Sequence, residues 1–215
     1  MTTSTSTSHP SGPSGSSGSS GLPAATASWR TVDVVVAAAI GVAFGVVFWG
    51  WNSLWNVLEP AFASYPPGRA FLYGMWLVPA VLGALVIRKR GAALFTELVA
   101  SLVSAVLGTS WGLFVLAYGL VEGAAAELVF ALALYKSWRL PVALGAGAAA
   151  GGAAALLDLA FYYPDWAGDW QVVYAALVVA SSTLLAGLGS WLLVRALART
   201  GVLAPFGSGR DQARV

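Results

Sequence analysis

Four carboxylates lie inside long apolar segments that contain no lysine or arginine. They are Glu97, Glu122, Glu127 and Asp158. A carboxylate in hydrocarbon costs about 2.5 kcal/mol or more, so each is expected to face a bundle interior, a partner or water. Carboxylates in such surroundings bind amines and cations or relay protons. We therefore expect the functional chemistry of the chain at these positions.

The fourth apolar segment carries aromatic residues that lead towards one of these acids. Residues spaced i, i+4, i+7 and i+11 share one face of a helix. This spacing relates Trp111, Val115, Tyr118 and Glu122. Such a face predicts one wall of a pocket for a flat, cationic or amine-bearing ligand. The alternative is an interfacial aromatic belt above a protonated, hydrogen-bonded glutamate.

Other segments offer residues that could complete the same pocket. Asp158 lies near the end of the fifth segment, where a solvated or helix-capping role is the alternative. Further walls are predicted at Trp76, Trp170 and Tyr174, with Glu97 as a deeper contact. Glu127 is predicted to be structural, and either Glu97 or Glu127 could pair with a cation such as Arg88 or Lys136.

The composition indicates an integral membrane protein. The chain has 215 residues, of which 58% are hydrophobic and 9% charged, and its mean hydropathy is +0.77. Soluble domains carry about 25% charged residues. The formal net charge of +2 gives no reason to expect a nucleic-acid partner, because the cations fall at the ends of the apolar segments.

Absent residue types exclude several kinds of chemistry. The chain has no cysteine, and its one histidine, His9, lies in a low-complexity stretch. The apolar segments therefore lack thiolate metal sites, haem-ligating histidine and Ser-His or Cys-His catalysis. We expect no metal, no cofactor and no enzymatic activity. Because no G-x-x-x-x-G-K-[ST] motif occurs, any ATP that drives the protein must be hydrolysed by another subunit.

Six apolar segments are predicted to be membrane-spanning helices, since a span needs about 17 to 25 residues. They are Val34–Trp51, Ala70–Ile87, Ala92–Gly108, Leu113–Tyr135, Pro141–Tyr163 and Val172–Val194. The third is short and reaches about 25 Å. Lysine and arginine concentrate on one side of this arrangement and leave Arg69 as the only cation on the other. Both termini are therefore predicted to be cytoplasmic, with the bundle in the cell membrane.

The chain is predicted to have three parts. Residues 1–28, rich in Ser, Thr, Gly and Pro, should be disordered. Residues 29–203 should form the all-α membrane domain, and residues 204–215 a cytoplasmic tail. The long connection Asn52–Arg69 is predicted to be either a lid over the pocket or a plain linker. Its candidate lid residues are Trp55, Asn56 and Tyr65.

Two segments carry small residues at helical spacing. The first has Ala37, Gly41 and Gly45, with Ala39 and Ala43 beside them, and the fifth has Gly147, Gly151 and Ala154. Small residues at this spacing let another backbone approach closely. At least one series must pack within the bundle. The other could dock a partner helix, although packing within the bundle would explain both series equally well.

Several motifs across the six segments resemble one family of membrane proteins. The motifs are Tyr73-Gly74-Met75-Trp76, Ile87-Arg88-Lys89-Arg90-Gly91-Ala92-Ala93, Thr96-Glu97-Leu98, Gly119-Leu120-Val121-Glu122-Gly123, Ala126-Glu127-Leu128-Val129-Phe130 and Thr200-Gly201-Val202-Leu203. Over about residues 29–203 the chain resembles the YkoE-type substrate-binding (S) components of energy-coupling factor (ECF) transporters.

The resemblance implies a six-helix S component that captures thiamine or its hydroxymethylpyrimidine precursor (HMP) from outside. It also implies a transmembrane coupling (T) subunit and two cytoplasmic ATPases as partners. The small residues predicted to dock the T subunit are Ala37, Gly41 and Gly45 of the first helix. This chain has Ser104 where the family often has an acid or amide, and Glu122 where a glutamine is common. The aminopyrimidine and cationic thiazolium of thiamine suit carboxylates and aromatic faces.

A second function is compatible with the same acids. A proton-coupled secondary transporter or channel for a small cationic heterocycle could use the four carboxylates as a relay. It would then transport without partners. The sequence shows no clear inverted repeat or paired broken helices of the kind that such transporters carry. The binding subunit of an ATP-driven importer is therefore the first hypothesis.

Overall fold

The structure, a computed structural model, describes residues 1–2, 28–204, 206 and 208. The disordered tail predicted for residues 1–28 and the cytoplasmic tail predicted for residues 204–215 fall almost wholly outside the described residues. Within the described residues, all regular secondary structure is helical. The all-α prediction is therefore confirmed for this part of the chain.

Seven α-helices follow one another in the described part of the chain. They are α1 (Thr31–Leu58), α2 (Val78–Ile87), α3 (Ala92–Val106), α4 (Val115–Leu132), α5 (Leu140–Phe161), α6 (Gly168–Ser182) and α7 (Ser190–Arg199). Short 3₁₀ segments follow α1 (Glu59–Phe62) and precede α2 (Pro66–Leu77) and α4 (Gly112–Phe114). A π-helical segment, Thr183–Gly189, joins α6 to α7. The 3₁₀ and π segments lengthen the α-helices that they adjoin.

Five helical stretches in the described residues are long and apolar enough to cross a membrane. They are Thr31–Phe62, Pro66–Ile87, Gly112–Leu132, Leu140–Phe161 and Gly168–Arg199. The apolar helix α3 has only 15 residues. At about 1.5 Å per residue it is shorter than the roughly 30 Å hydrocarbon core. The structure thus supports five candidate spans and one shorter apolar helix.

The first helix continues past its predicted end at Trp51. No proline or glycine interrupts the chain until Pro60, where the α-helix has already given way to a 3₁₀ segment. Trp55 and Asn56 therefore lie on α1, and the prediction that they belong to a lid loop is wrong. Of the three predicted lid residues, only Tyr65 lies in the connection between helices.

The small residues of α1 pack inside the bundle. A Cβ added to Gly41 would come within 2.7 Å of the Val99 side chain of α3, and one added to Gly45 would clash with Val103. Ala37 is fully buried. The prediction that these three residues dock a partner helix is therefore wrong, because α3 already covers them.

The fifth helix uses its small residues in the same way. A Cβ on Gly147 would lie 2.6 Å from the carbonyl oxygen of Ser182, and one on Gly151 would lie 2.6 Å from the Ser182 hydroxyl. Gly187, in the π-helical segment, lies equally close to the backbone of α5. Both small-residue series thus bring helices of this bundle into close contact.

A buried ion cluster ties the start of α1 to the connection between α2 and α3. The Asp33 carboxylate lies 2.9 Å from Nη2 of Arg30 and 2.7 Å from Nζ of Lys89. The indole of Trp29 donates a hydrogen bond to the carbonyl of Arg90 at 2.9 Å. The sequence had not singled out Asp33, whose contacts show a structural role at this end of the bundle.

Candidate functional site

An open cavity lies at the other end of the bundle. Its aromatic lining consists of Phe48, Trp55, Tyr73, Trp76, Trp111, Tyr118, Tyr162 and Tyr163. The other lining residues are Asn52, Glu97, Ser101, Ser104, Val115, Glu122 and Asp158. The lining therefore contains three acids and no lysine or arginine.

The cavity is enclosed by helices that run in alternating directions. Its lining comes from the second half of α1, from α3, from the end of α5 and the two tyrosines that follow it, and from the stretches that begin at Pro66 and Gly112, with Trp111 just before the latter. The spacing predicted to form one wall, from Trp111 to Glu122, does line the cavity along its full length. Helical periodicity accounts for Val115, Tyr118 and Glu122, which lie on α4. Trp111 lies before the 3₁₀ segment Gly112–Phe114, so its place in the wall does not follow from a shared helix face.

The predicted site residues separate into two groups. Six of them line the cavity: Trp76, Glu97, Trp111, Tyr118, Glu122 and Asp158. Tyr174 is buried behind the wall, where its hydroxyl donates to Oδ2 of Asp158 at 2.6 Å. Trp170 does not line the cavity but packs edge-on against Trp166, with ring centroids 5.9 Å apart. The structure thus brings seven of the eight residues into one connected group.

Asp158 is held by two tyrosines. Tyr118 donates to Oδ1 at 2.6 Å, and Tyr174 donates to Oδ2 at 2.6 Å. The side chain is nearly buried, with the residue 6% exposed. Because each oxygen already accepts a hydrogen bond, this carboxylate has a fixed orientation in the cavity wall.

Glu122 lies on the same wall and is bonded more weakly. Its Oε1 accepts one hydrogen bond, from the Tyr73 hydroxyl at 3.2 Å. The carboxylate is buried among the aromatic residues, so it remains available to a ligand that supplies a donor. Tyr73 was not among the predicted site residues, although it lies in one of the motifs that carried the family resemblance.

Glu97 forms the polar floor of the cavity. Its Oε2 accepts a hydrogen bond from the backbone N–H of Ala80, in the first turn of α2, at 3.0 Å. Its Oε1 is buried and has no hydrogen-bond partner among the described residues. A buried acceptor without a donor is costly, so Oε1 is the atom of the cavity that most requires one.

Asn52 fixes one of the tryptophans. Its Oδ1 accepts a hydrogen bond from Nε1 of Trp76 at 2.9 Å, and its Nδ2 donates to the hydroxyl of Thr109 at 2.7 Å. Asn52 was predicted to begin the connection between the first two helices, but it lies on α1, and its contact with Trp76 was not predicted. A polar side chain at the end of a long apolar run was the only signal that could have found it.

An aromatic cluster closes the side of the cavity formed by α1 and the segment before α2. The ring centroids of Trp55 and Trp76 are 4.9 Å apart, and those of Tyr73 and Trp76 are 5.2 Å apart. Behind this cluster the guanidinium of Arg69 lies 4.3 Å from the Trp55 ring centroid and 3.2 Å from the Glu59 carboxylate. Arg69, the one cation near this end among the residues that the structure describes, therefore has its contacts outside the cavity.

Glu127 lies away from the cavity, at the opposite end of the bundle. Its carboxylate accepts hydrogen bonds from the backbone N–H groups of Gly91, at 2.6 Å, and Ala93, at 2.9 Å, and from the Tyr135 hydroxyl at 2.8 Å. Burial and this hydrogen bond raise the pKa of Tyr135 to about 12, so Tyr135 stays a donor. Backbone amides and a tyrosine hold Glu127, which fits the structural role predicted for it.

The described residues offer no site for a metal ion. No three His, Cys, Asp or Glu side chains among them lie close enough together to coordinate one. An all-helical membrane bundle around an aromatic cavity with acids in its wall defines a membrane protein that binds a small organic molecule.

Comparison with known proteins narrows this class to transport. A family model described as "ABC-type cobalt transport system, permease component" matches residues 32–153. YkoE of Bacillus subtilis (strain 168), provisionally named an HMP/thiamine permease, is 34% identical over 187 residues, which cover 86% of this chain and 92% of YkoE. A crystal structure of an S-component of an ECF transporter matches with a TM-score of 0.83 and 33% identity, covering 87% of this chain and 94% of the other.

The chain belongs to the YkoE family of ECF-transporter S components. The resemblance found in the sequence motifs is thereby confirmed. So is the prediction of a multi-pass membrane protein that serves transport and is not an enzyme, because the relatives are transporter S components.

Proposed function

We propose that this chain binds HMP or thiamine and delivers it to an ATP-driven ECF importer in the cell membrane. One observation carries the proposal: Glu97 Oε1 lies buried and unpartnered in a cavity with aromatic walls. An aminopyrimidine presents an amine N–H beside a ring nitrogen that can be protonated, so a carboxylate accepts hydrogen bonds from it. HMP and thiamine share this ring.

The rest of the lining suits the same ligand. The indole rings of Trp76 and Trp111 offer faces on which a flat heterocycle can stack. Glu122 and Asp158 add two further carboxyl groups to the wall, and no lysine or arginine lines the cavity. The carboxyl groups and the lack of a lining cation both favour a permanent cation such as the thiazolium of thiamine. Trp170 and Tyr174 have no direct part in this proposal, and Tyr174 acts through Asp158.

Cobalt, which the matching family description names, fits the cavity less well. Cobalt binds best to nitrogen and sulfur ligands or to clustered carboxylates, and the described residues contain no cluster of three such side chains. The aromatic lining has no role in holding a metal ion. An organic heterocycle can contact both the carboxyl groups and the aromatic rings of the lining.

We further propose that the bundle crosses the membrane six times. The start of α1 and the end of α7 then face the cytoplasm, and the cavity opens to the outside. The alternation of helix ends around the cavity supports this, because α3 then runs across the bilayer between α2 and α4. The distribution of cations supports the same orientation. Arg69 lies at the end with the cavity. The opposite end carries Arg30, Arg88, Lys89, Arg90, Lys136, Arg139, Arg195 and Arg199. Tyr65, in the connection on the outer side, is the remaining candidate for a lid.

The proposed importer requires a T subunit and two ATPases. This chain carries no phosphate-binding loop motif, so the ATPases must be other chains. Because α3 covers Gly41 and Gly45, the T subunit would meet the opposite face of α1. That face is exposed and also has small residues: Ala39, Ala43 and Gly50. A Cβ on Gly50 would meet nothing within 4 Å, so the face is open to a partner.

Calorimetry on the purified full-length chain tests the ligand. We expect heat of binding and thermal stabilisation with HMP and thiamine, in sodium-free buffer, and neither with cobalt. The absence of heat and of stabilisation with both compounds would contradict the proposed ligand.

A second measurement separates the S component from a self-sufficient transporter. Liposomes that contain only this chain should bind labelled ligand without accumulating it, whether or not a proton gradient is imposed. Accumulation that a protonophore abolishes would favour the proton-coupled alternative.

A further inference from the structure

Several hydrogen-bond donors in the wall of the cavity are engaged by the wall itself. Nε1 of Trp76 donates to Oδ1 of Asn52 at 2.9 Å, and Nδ2 of Asn52 donates in turn to a threonine hydroxyl at 2.7 Å. The hydroxyls of Tyr73 and Tyr118 each donate to a carboxyl group of the wall, at 3.2 Å and 2.6 Å. These four donors are therefore already used before a ligand enters.

The hydrogen-bonding capacity that the acids leave open is that of acceptors. Oε1 of Glu97 is buried and has no hydrogen-bond partner among the described residues. Glu122 accepts one hydrogen bond, on Oε1. Asp158 accepts a hydrogen bond on each of its oxygens, so it too acts as an acceptor. The wall thus suits a ligand whose polar groups donate hydrogen bonds.

A phosphate ester has the opposite properties. Near neutral pH it carries about 1.5 to 2 negative charges and three strong acceptor oxygens. Proteins bind such a group with arginine, lysine or free backbone N–H groups. No lysine or arginine among the described residues lines the cavity. Burying an anion without a compensating partner is costly, so a phosphate would be disfavoured in this cavity.

The nearest cation has its contacts elsewhere. The guanidinium of Arg69 lies 4.3 Å from the ring centroid of Trp55 and 3.2 Å from the carboxylate of Glu59. Trp55 lines the cavity, whereas Arg69 does not. To reach a phosphate inside the cavity, Arg69 would have to leave both partners. Arg69 therefore does not compensate for the missing cation.

We infer that the cavity captures the unphosphorylated form of its ligand, the free alcohol, and rejects the phosphate ester of the same heterocycle. The inference rests on the proposed function, because HMP and thiamine each carry a primary hydroxyl that can be phosphorylated. A hydroxyl can donate to a carboxyl oxygen, whereas a phosphate dianion has no proton to donate. The acids Glu97, Glu122 and Asp158, together with the absence of a cation, determine this selectivity.

Calorimetry on the purified full-length chain tests the selectivity with thiamine and thiamine monophosphate, which differ only by the phosphate. We expect the monophosphate to bind about 100-fold more weakly or worse, because its charge has no partner. O-acetylthiamine extends the same hydroxyl without adding charge and should bind within about tenfold of thiamine. Equal weakening by the acetyl and phosphate groups would indicate a limit on size and would overturn the inference.

A cation placed in the wall should reduce the selectivity. Val115 is half-buried, lines the cavity and lies about one turn before Tyr118 on α4. Val115→Lys should narrow the affinity ratio of thiamine to its monophosphate by about tenfold or more, because hydrogen bonds to charged groups are strong. Leu113→Lys is the matched control: it adds the same charge at a residue that is 76% exposed and does not line the cavity. It should leave the ratio unchanged.

The outcomes separate the inference from the proposed function. Similar affinities of the wild type for thiamine and thiamine monophosphate would overturn the inference and leave the proposed function standing. Binding of neither HMP nor thiamine would overturn both. Equal narrowing by the two lysine variants would indicate net charge alone and would also contradict the inference. Thermal unfolding shows whether Val115→Lys is folded, and the wild-type comparison decides the inference if it is not.

Discussion

The three carboxylates of the outer cavity differ in how fully they are bonded. Asp158 has both oxygens occupied by tyrosine hydroxyls, Glu122 has one tyrosine donor, and Glu97 has a backbone donor on one oxygen and none on the other. Asp158 is therefore best suited to shape and charge the wall, whereas Glu97 is best suited to recognise a specific donor. This order reverses the emphasis of the sequence, which favoured Glu122 and Asp158.

Replacing Glu97 with glutamine should weaken ligand binding more than any other isosteric change in the cavity. The amide keeps the volume and an acceptor for Ala80, but it loses the charge that strengthens a hydrogen bond to the aminopyrimidine. Hydrogen bonds to charged groups contribute about 1.5 to 3 kcal/mol, so affinity for HMP should fall roughly 10- to 150-fold by calorimetry.

Glu127→Gln is the matched control, because Glu127 lies at the opposite end of the bundle. It should lower the unfolding temperature, since it weakens the bonds to Gly91 and Ala93, while leaving the affinity for HMP unchanged. Glu122→Gln should weaken HMP binding less than Glu97→Gln does and more than Glu127→Gln does. If Glu127→Gln weakened binding as much as Glu97→Gln, the assignment of Glu97 to the ligand would be wrong.

At the level of elements, α1 has two faces with different partners. One face packs against α3 through Gly41 and Gly45, and the other exposes Ala39 and Ala43. Both faces carry the same residue types, so the sequence could not say which is internal. Only the position of α3 decides it.

Two single substitutions on α1 test this division. Gly41→Leu should destabilise the isolated protein by about 1 to 3 kcal/mol or prevent folding, because overpacking forces α3 away. Ala43→Leu should leave stability and ligand affinity unchanged while abolishing co-purification with the T subunit. Thermal unfolding, calorimetry and pull-down distinguish the two outcomes. Normal assembly of Ala43→Leu would show that the T subunit docks elsewhere.

Helical periodicity predicted what lies on one helix, and it failed where the answer lies between helices. The part of the wall formed by Val115, Tyr118 and Glu122 of α4 follows from spacing alone. Asn52 and Trp76 are joined by a hydrogen bond between two distant segments, which periodicity cannot reveal. The sequence prediction ended α1 at Trp51 because the apolar run ends there. An apolar run marks contact with lipid, whereas the helix continues through the polar residues beyond it to Leu58.

At the level of the whole molecule, the two ends of the bundle have opposite chemistry. One end holds the acidic, aromatic cavity, and the other holds the Asp33 ion cluster and most of the lysine and arginine side chains of the described residues. A bundle with this polarity should insert in one orientation. The sidedness predicted from the cations can be measured directly, because the chain has no cysteine.

Single cysteines at exposed positions report the orientation. Ala61→Cys lies beyond α1 and Thr200→Cys lies beyond α7, and both residues are exposed. In intact cells a membrane-impermeant maleimide should label Ala61→Cys, and it should label Thr200→Cys only after the membrane is opened. The reverse pattern would invert the proposed orientation, and labelling of both in intact cells would contradict six crossings.

The fixed indole of Trp76 has an optical consequence. Three of the ten tryptophans, Trp55, Trp76 and Trp111, line the outer cavity, and the hydrogen bond to Asn52 keeps Trp76 in one environment. A heterocycle stacked on these rings accepts energy or an electron from the excited indole, so occupancy of the cavity quenches the intrinsic fluorescence. The protein thus carries its own emission signal for ligand capture, which can be followed in real time without a label.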